Sequence, residues 1–92
     1  MDPAPIMDAV QQGLGLTQAD LARLIGVDVR TLPRWRGHEV APRGAGWTVL
    51  LALRARLEAA PERAEGLQKL CAEALVQHDA LAWLIDRLLS FV

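Results

Sequence analysis

Residues 18–37 read QADLARLIGVDVRTLPRWRG, with apolar side chains at helical spacing on both sides of a central glycine, Gly26. Gly26 tolerates the left-handed backbone that ends a helix, so one helix is predicted before it and another after it. Ala22 is small enough to let the two helices approach closely, and the side chain of Val27 is predicted to anchor the turn between them in the core. The other apolar positions are Leu21, Leu24, Ile25, Leu32 and Trp35, of which the last three are predicted to clamp the helices together.

Each of these two helices has its own boundary signals. The first is predicted to begin at Thr17, whose hydroxyl can cap the backbone donors of Ala19 or Asp20, and to end at the central glycine. The second is predicted to run from Asp28, another capping residue type, to about Arg36. The two helices and their turn therefore form a predicted helix-turn-helix.

Outside this stretch the chain is also predicted to be helical, because no segment alternates apolar and polar residues for long enough to form a strand. An earlier helix is predicted from near Pro5 to Gly13, and a later one from about Ala45 to Ala60. The core candidates of the later helix are Trp47, Leu50, Leu51, Leu53 and Leu57. The predicted fold class is all-α, with a bundle of about four to five helices and a further C-terminal helical segment.

With Leu16 and Thr17 included, the motif resembles the Cro-like, or XRE-type, family of helix-turn-helix repressors. The resemblance covers roughly residues 6–60 and implies a lambda-repressor-like fold that binds double-stranded DNA. In that family the start of the first motif helix contacts a phosphate, which implies this role for Thr17 and Gln18. The second motif helix contacts bases, and its base-facing positions in this sequence are Val29, Arg30, Pro33 and Arg34.

Among those four positions, only Arg30 and Arg34 carry a fork of donors that suits a guanine, so these two are the preferred base contacts. Further predicted phosphate contacts are Arg23, Arg36, His38 and Arg43. Pro33 departs from the family pattern, because a proline inside a regular helix costs about 3 kcal/mol. It is therefore predicted either to bend the helix or to present an apolar surface to a thymine methyl group.

The formal net charge of −1 conceals an uneven distribution of charge along the chain. Residues 30–43 carry four arginines and one acidic residue, Glu39, whereas residues 61–92 carry three basic and five acidic residues. For a nucleic-acid partner the local patch matters more than the total charge. The arginines beside the motif therefore favour DNA binding.

The segment after Pro61 has a pattern of its own. A heptad seam with alternating spacings of four and three is formed by Leu67, Cys71, Ala74, His78, Leu81, Ile85, Leu88 and Val92. One helix over this segment would be about 45 Å long, so the alternatives are a long helix that needs a partner and, our preference, a hairpin with a break at His78 and Asp79. In either case dimerisation is predicted through Leu81, Leu84, Ile85, Leu88, Leu89 and Val92.

Several other classes of function lack support in the sequence. Cys71 is the only cysteine, so no internal disulfide is possible, and neither a metal nor a cofactor is predicted. His38 and Glu39 are adjacent, but no nucleophile or second carboxylate accompanies them, so the chain is not predicted to be an enzyme. No apolar run reaches the roughly 18 residues of a membrane span, and the start lacks a signal-peptide pattern, which predicts a cytoplasmic protein without a membrane partner.

These patterns divide the chain into residues 1–60, a DNA-binding helix-turn-helix domain, and residues 61–92, a helical segment for dimerisation or partner binding. The predicted function is a sequence-specific transcriptional repressor that acts as a homodimer on a near-palindromic operator and regulates its own operon. One alternative is an antitoxin whose C-terminal helices bind a toxin protein. The other is an adaptor in which the helix-turn-helix serves assembly alone.

Overall fold

The computed structural model describes residues 2–90 as helices and connecting turns, with no strand in that range. In chain order the helices are α1 (Pro3–Leu14), α2 (Gln18–Ile25), α3 (Thr31–Arg36), α4 (Gly44–Ala59), α5 (Ala64–Leu75) and α6 (Ala80–Ser90). A 3-10 turn, Pro61–Arg63, joins α4 to α5. The predicted all-α class is confirmed, and α1, α2 and α4 lie close to their predicted bounds.

Both ends of α1 carry residues suited to a helix terminus. Asp2 precedes the helix, and its side chain accepts a hydrogen bond from the backbone N–H of Ala4 at 3.1 Å. Pro3 occupies the first turn, where its missing N–H removes no intrahelical bond. At the other end, Gly15 has a left-handed backbone with φ +64°. The hydrophobic residues that α1 buries are Ile6, Met7, Val10 and Leu14.

A glycine in the first turn of α4 lets that helix approach α2. A Cβ atom on Gly46 would lie 2.3 Å from the backbone oxygen of Ile25, which leaves no room for any side chain. Beyond this contact, α4 buries Val49, Leu50 and Leu53. Leu50 and Leu53 were predicted core residues, and the other predicted core residues of α4 are only half-buried: Trp47, Leu51 and Leu57.

Two tryptophans connect α3 with α4. Trp35 is 3% exposed, and its ring meets the ring of Trp47 edge to face, with centroids 5.7 Å apart and an interplanar angle of 78°. Edge-to-face pairs contribute beyond the area they bury. The prediction that Trp35 is a core residue is confirmed, and this contact holds one side of α3 against the body of the protein.

The segment after α4 is a hairpin of two helices, which confirms the favoured alternative. The break falls at residues 76–79, between α5 and α6. Asp79 caps α6, because its Oδ1 accepts a hydrogen bond from the backbone N–H of Ala82 at 3.1 Å. The longest dimension of the described chain is 33 Å, shorter than the length of about 45 Å that a single helix would have.

Both helices of the hairpin pack on the core formed by α1 to α4. α5 contacts α1 and α2, and α6 contacts α2 and α5. The hairpin side chains of the shared core cluster are Cys71, Ala74, Leu84 and Leu88. On α6, Leu81 lies over the turn after α2, where a Cβ atom on Gly26 would come within 2.9 Å of its side chain. The hairpin therefore shares one hydrophobic core with the front of the chain.

This packing corrects part of the predicted dimer interface. Leu84 is fully buried and cannot meet a second chain in this fold, and Leu88 is only 8% exposed. The physical reason is that α6 turns its apolar face towards α2 and α5 of its own chain. Of the remaining predicted residues, Leu89 is 69% exposed, and Leu81 and Ile85 are half-buried. Val92 lies outside the described residues.

The one cysteine is part of this core. Cys71 is free and fully buried, and burial raises the pKa of its thiol to about 11, because the thiolate would lose its hydration. Within residues 2–90, no three His, Cys, Asp or Glu side chains cluster so that they could hold a metal ion. None of the helices in that range is long and apolar enough to cross a membrane.

Candidate nucleic-acid interface

The predicted boundaries of α2 are present in full. The Thr17 hydroxyl accepts a hydrogen bond from the backbone N–H of Asp20 at 3.1 Å, which caps the start of the helix. At its end Gly26 has φ +71°, and the backbone N–H of Val27 reaches back to the carbonyl of Ala22 at 3.0 Å. This pattern is the Schellman motif, which turns the chain sharply towards α3.

The start of α3 differs from its prediction, because the helix begins at Thr31 and not at Asp28. The Asp28 side chain accepts a hydrogen bond from the backbone N–H of Arg30 at 2.8 Å, and its carbonyl accepts one from Thr31 at 2.9 Å. A side chain that binds its own neighbouring backbone favours a turn over a helix. Val29 and Arg30 therefore lie in the turn that precedes α3.

This later start explains how α3 accommodates its proline. Pro33 is the third residue of the helix, in the first turn, where backbone N–H groups have no intrahelical acceptor. Its carbonyl accepts a hydrogen bond from the N–H of Gly37 at 2.9 Å, so the helix continues past it normally. The cost of a mid-helix proline therefore does not arise at this position.

The predicted base contacts all lie on the surface. The side chains of Leu32 and Trp35 are buried and anchor α3 in the core. The four predicted base contacts, which lie between and beside them, are exposed: Val29, Arg30, Pro33 and Arg34. Within residues 2–90, Arg34 forms no ion pair. Its guanidinium is therefore available to an external acceptor.

Arg30 has a partner that the predicted base contacts did not include, the carboxylate of Asp28. Its Nε lies 3.1 Å from Oδ1 of Asp28 and its Nη2 lies 3.0 Å from Oδ2, so the carboxylate holds one edge of the guanidinium. The side-chain and backbone hydrogen bonds from Arg30 lower the pKa of Asp28 from 3.8 to about 2. The same contact raises the pKa of Arg30. The pair stays fully ionised at neutral pH.

Arg36 has a structural role that differs from its predicted phosphate contact. Its guanidinium forms an ion pair with Asp8 and a hydrogen bond with Gln11, and its side chain is only 24% exposed. These bonds tie the end of α3 to α1. Asp8 could not be found from the sequence as a partner, because 28 residues separate the pair.

The predicted phosphate contacts fall into two groups. Gln18 and Arg36 line one small cavity of about 260 Å³, together with residues of α1 and the loop after it. Thr17, Arg23, His38 and Arg43 are exposed at separate points, before α2, on α2, after α3 and before α4. Since the Arg36 charge is already balanced, Arg23, Arg34 and Arg43 are the cations of this region that form no ion pair within residues 2–90.

His38 ends α3 in an unusual backbone conformation. Its φ is +62°, in the left-handed region, whereas the preceding Gly37 has a φ of −85°. The N–H of His38 binds the carbonyl of Trp35 at 3.2 Å, and the N–H of Glu39 binds that of Arg34 at 3.0 Å, which is again a Schellman motif. The imidazole Nε2 lies 3.4 Å from Oδ1 of Asp2, so His38 links this end of α3 to the start of α1.

A second surface feature lies away from α2 and α3. A groove of about 860 Å³ runs between the end of α4, the 3-10 turn and α5, and it reaches Leu88 of α6. The leucines that line it are Leu57, Leu67, Leu70 and Leu88. Its charged residues are balanced, with three basic and three acidic side chains: Arg56, Arg63, Lys69, Glu62, Glu65 and Glu73.

In comparisons with protein-family models, curated proteins and solved structures, no match to this chain was found. The assignment of a function therefore depends on the geometry of the exposed residues in and around α3.

Proposed function

We propose that this chain is a helix-turn-helix protein that binds double-stranded DNA through α2 and α3 and represses transcription. The observation that carries the proposal is the division of side chains in this region. The apolar positions Leu21, Ile25 and Leu32 are fully buried. The base-contact candidates are all exposed around the start of α3: Val29, Arg30, Pro33 and Arg34.

The short α3 suits this role. In helix-turn-helix proteins, base contacts come mainly from the first residues of the second helix, which enters the major groove. Arg30 immediately precedes α3, and Arg34 is its fourth residue. Each guanidinium can donate two hydrogen bonds to O6 and N7 of a guanine. Thr17 and Gln18 at the start of α2 would bind phosphates on one side.

A homodimer completes the proposal, because one short α3 makes few base contacts and two copies one helical turn apart contact both halves of a near-palindromic operator. Leu89 is the residue that supports a dimer contact on α6, since it is a large apolar side chain with 69% of its surface exposed. We expect Leu89→Lys to convert a dimer to a monomer in sedimentation analysis, while Leu89→Met leaves the dimer intact.

DNA titrations with matched arginine variants test the proposal. The probes are the DNA upstream of the chain's own gene, which an autoregulatory repressor would bind, and a scrambled duplex of the same composition, each at two salt concentrations. Arg34→Ala should reduce the preference for the upstream DNA by roughly 5- to 100-fold, the range for one bidentate base contact. Arg63→Ala is the matched control, because Arg63 is exposed in the 3-10 turn after α4.

The control should bind as the unmodified protein does. Weak and equal binding of both duplexes by the unmodified protein would contradict the proposal. Binding of both duplexes with equal affinity and a steep dependence on salt would leave only a non-specific DNA-binding protein.

A protein partner is the second candidate function, as in an antitoxin or an adaptor, and the leucine-lined groove beside α5 favours it. A complex with the product of an adjacent gene, insensitive to salt and lost in Leu67→Lys, would support this candidate. The same complex formed by Leu67→Lys would argue against the groove as the contact site.

A further inference from the structure

Asp28 and Arg30 form a small, closed arrangement at the start of α3. One carboxylate oxygen, Oδ1, accepts hydrogen bonds from both the backbone N–H of Arg30 at 2.8 Å and its Nε at 3.1 Å. The other, Oδ2, lies 3.0 Å from Nη2. These bonds fix the guanidinium relative to the backbone from which α3 begins.

The geometry leaves a defined set of donors unused. A guanidinium has five N–H groups in a rigid plane. Asp28 occupies the edge formed by Nε and one N–H of Nη2, and the edge formed by Nη1 and the second N–H of Nη2 remains free. The Arg30 side chain is 82% exposed, so this free edge faces solvent. Two parallel donors of this kind match O6 and N7 of guanine.

We propose that Asp28 is a positioning residue that orients the free edge of Arg30 towards a guanine and thereby sets sequence preference at one base pair. This inference rests on the proposed DNA binding. An exposed ion pair contributes little to stability, but it holds a long side chain in one orientation before binding, which reduces the ordering cost of the contact. Asp28 remains a carboxylate at neutral pH, since its pKa is about 2.

The same pair also lowers the contribution of Arg30 to non-specific binding. The carboxylate balances the charge of the guanidinium and repels nearby phosphates, so Arg30 adds little attraction to the DNA backbone. Removal of the carboxylate charge should therefore strengthen binding to unrelated DNA. It should also increase the slope of log affinity against log salt concentration by about one. Because loss of the negative charge alone would produce these changes, the preference for a guanine is the readout that separates a positioning role from a purely structural one.

Asp28→Asn is the sharpest variant, because an asparagine oxygen can still accept the backbone N–H of Arg30 while the negative charge is lost. Arg30→Ala removes the other partner. Glu39→Gln is the matched control, since it removes an exposed carboxylate just after α3 that forms no ion pair within residues 2–90. Circular dichroism of each variant checks that the helices are retained.

Selection from a pool of randomised duplexes, followed by titration of the selected duplex and of single-base variants, tests the inference. The unmodified protein and Glu39→Gln should prefer one guanine by about tenfold. Asp28→Asn and Arg30→Ala should both lose that preference at the same base pair, and Asp28→Asn should also bind scrambled DNA more tightly. Asp28→Asn that keeps the preference would overturn the inference while leaving the proposed function intact. If the unmodified protein selects no sequence, the proposed function fails and the inference fails with it.

Discussion

The α2–α3 region and the α5–α6 hairpin bury their apolar faces in the same core, but they present different surfaces. Arg34 of α3 is exposed and forms no ion pair within residues 2–90, and Val29, in the turn before α3, is exposed and apolar. The hairpin borders the groove beside α5, whose charges are balanced overall, and on α6 it carries one large exposed apolar residue, Leu89. The first surface suits an anionic, hydrogen-bonding partner, and the second suits a protein.

An apolar pattern predicts that a face is buried, but it does not predict which element covers that face. In both regions the apolar face had to be covered, because such a face cannot remain in water. The sharp turn between α2 and α3 was predicted from neighbouring residues, whereas the elements that cover α2 include α4, α5 and α6, which lie further along the chain. In the hairpin, α5 and α6 cover each other in part, and the rest of the cover comes from α1 and α2, two distant elements. The sequence pattern alone is equally compatible with cover by a second chain.

The largest expected effect tests whether the two regions form one cooperative unit. Leu84→Ala removes a fully buried side chain of α6 and should destabilise the protein by about 2–5 kcal/mol. Since α6 packs on α2, amide hydrogen exchange should accelerate in both helices together. Val76→Ala is the control and should change stability by less than about 0.5 kcal/mol, because that side chain, in the turn after α5, is 79% exposed. Faster exchange confined to α5 and α6 would mean that the hairpin unfolds independently.

The next effect compares Gly46, where α4 meets α2, with Gly66 in the hairpin. Gly46→Ala would place a Cβ atom 2.3 Å from the Ile25 oxygen, so it should destabilise the fold by about 1–3 kcal/mol in urea denaturation. Gly66→Ala in α5 meets no atom within 4 Å and should stabilise by about 0.5–1 kcal/mol, since alanine favours a helix. Equal effects of the two substitutions would contradict the close approach of α4 to α2.

Local signals predicted most of the fold. Thr17, Gly26 and Asp79 each act within a few residues, and the helix ends at these positions were predicted correctly. The burial of Leu84 and Leu88 was not predicted, because α2, one of the two helices that cover α6, is distant along the chain. Caps and turns are encoded by neighbouring residues, whereas the choice between an internal and an external partner depends on the whole fold.

The candidate site shows the same limit for charges. Residues 30–43 contain four arginines, and two of them have carboxylate partners outside that range. Asp28 lies two residues before Arg30, so a wider window would have revealed this pair. Asp8 meets Arg36 only because α1 and α3 pack together. A charge count along the sequence therefore overstates the free positive charge of the surface.

A smaller effect concerns the end of α3, where the left-handed residue is His38 and not the neighbouring glycine. His38→Gly should stabilise the protein by about 0.5–1 kcal/mol, because relief of left-handed strain of about 1–2 kcal/mol exceeds the added freedom of glycine in the unfolded chain. His38→Ala is the matched control, since it also removes the imidazole but keeps the strained backbone. Thermal unfolding of the two variants isolates the backbone effect, and equal stabilities would contradict the assigned conformation.

The smallest effect is the pH dependence of the turn before α3. Because the pKa of Asp28 is about 2 when folded and 3.8 ordinarily, its contribution to stability is present above about pH 4 and is lost as the pH falls towards 2. The carboxyl carbon shift of Asp28 in NMR titration should give this low pKa. In Arg30→Ala the pKa should rise towards its ordinary value, since the largest lowering contact is removed, whereas Arg63→Ala should leave it unchanged. A low pKa retained in Arg30→Ala would show that the carboxylate does not hold the Arg30 side chain, and the proposed orientation of that arginine would have no basis.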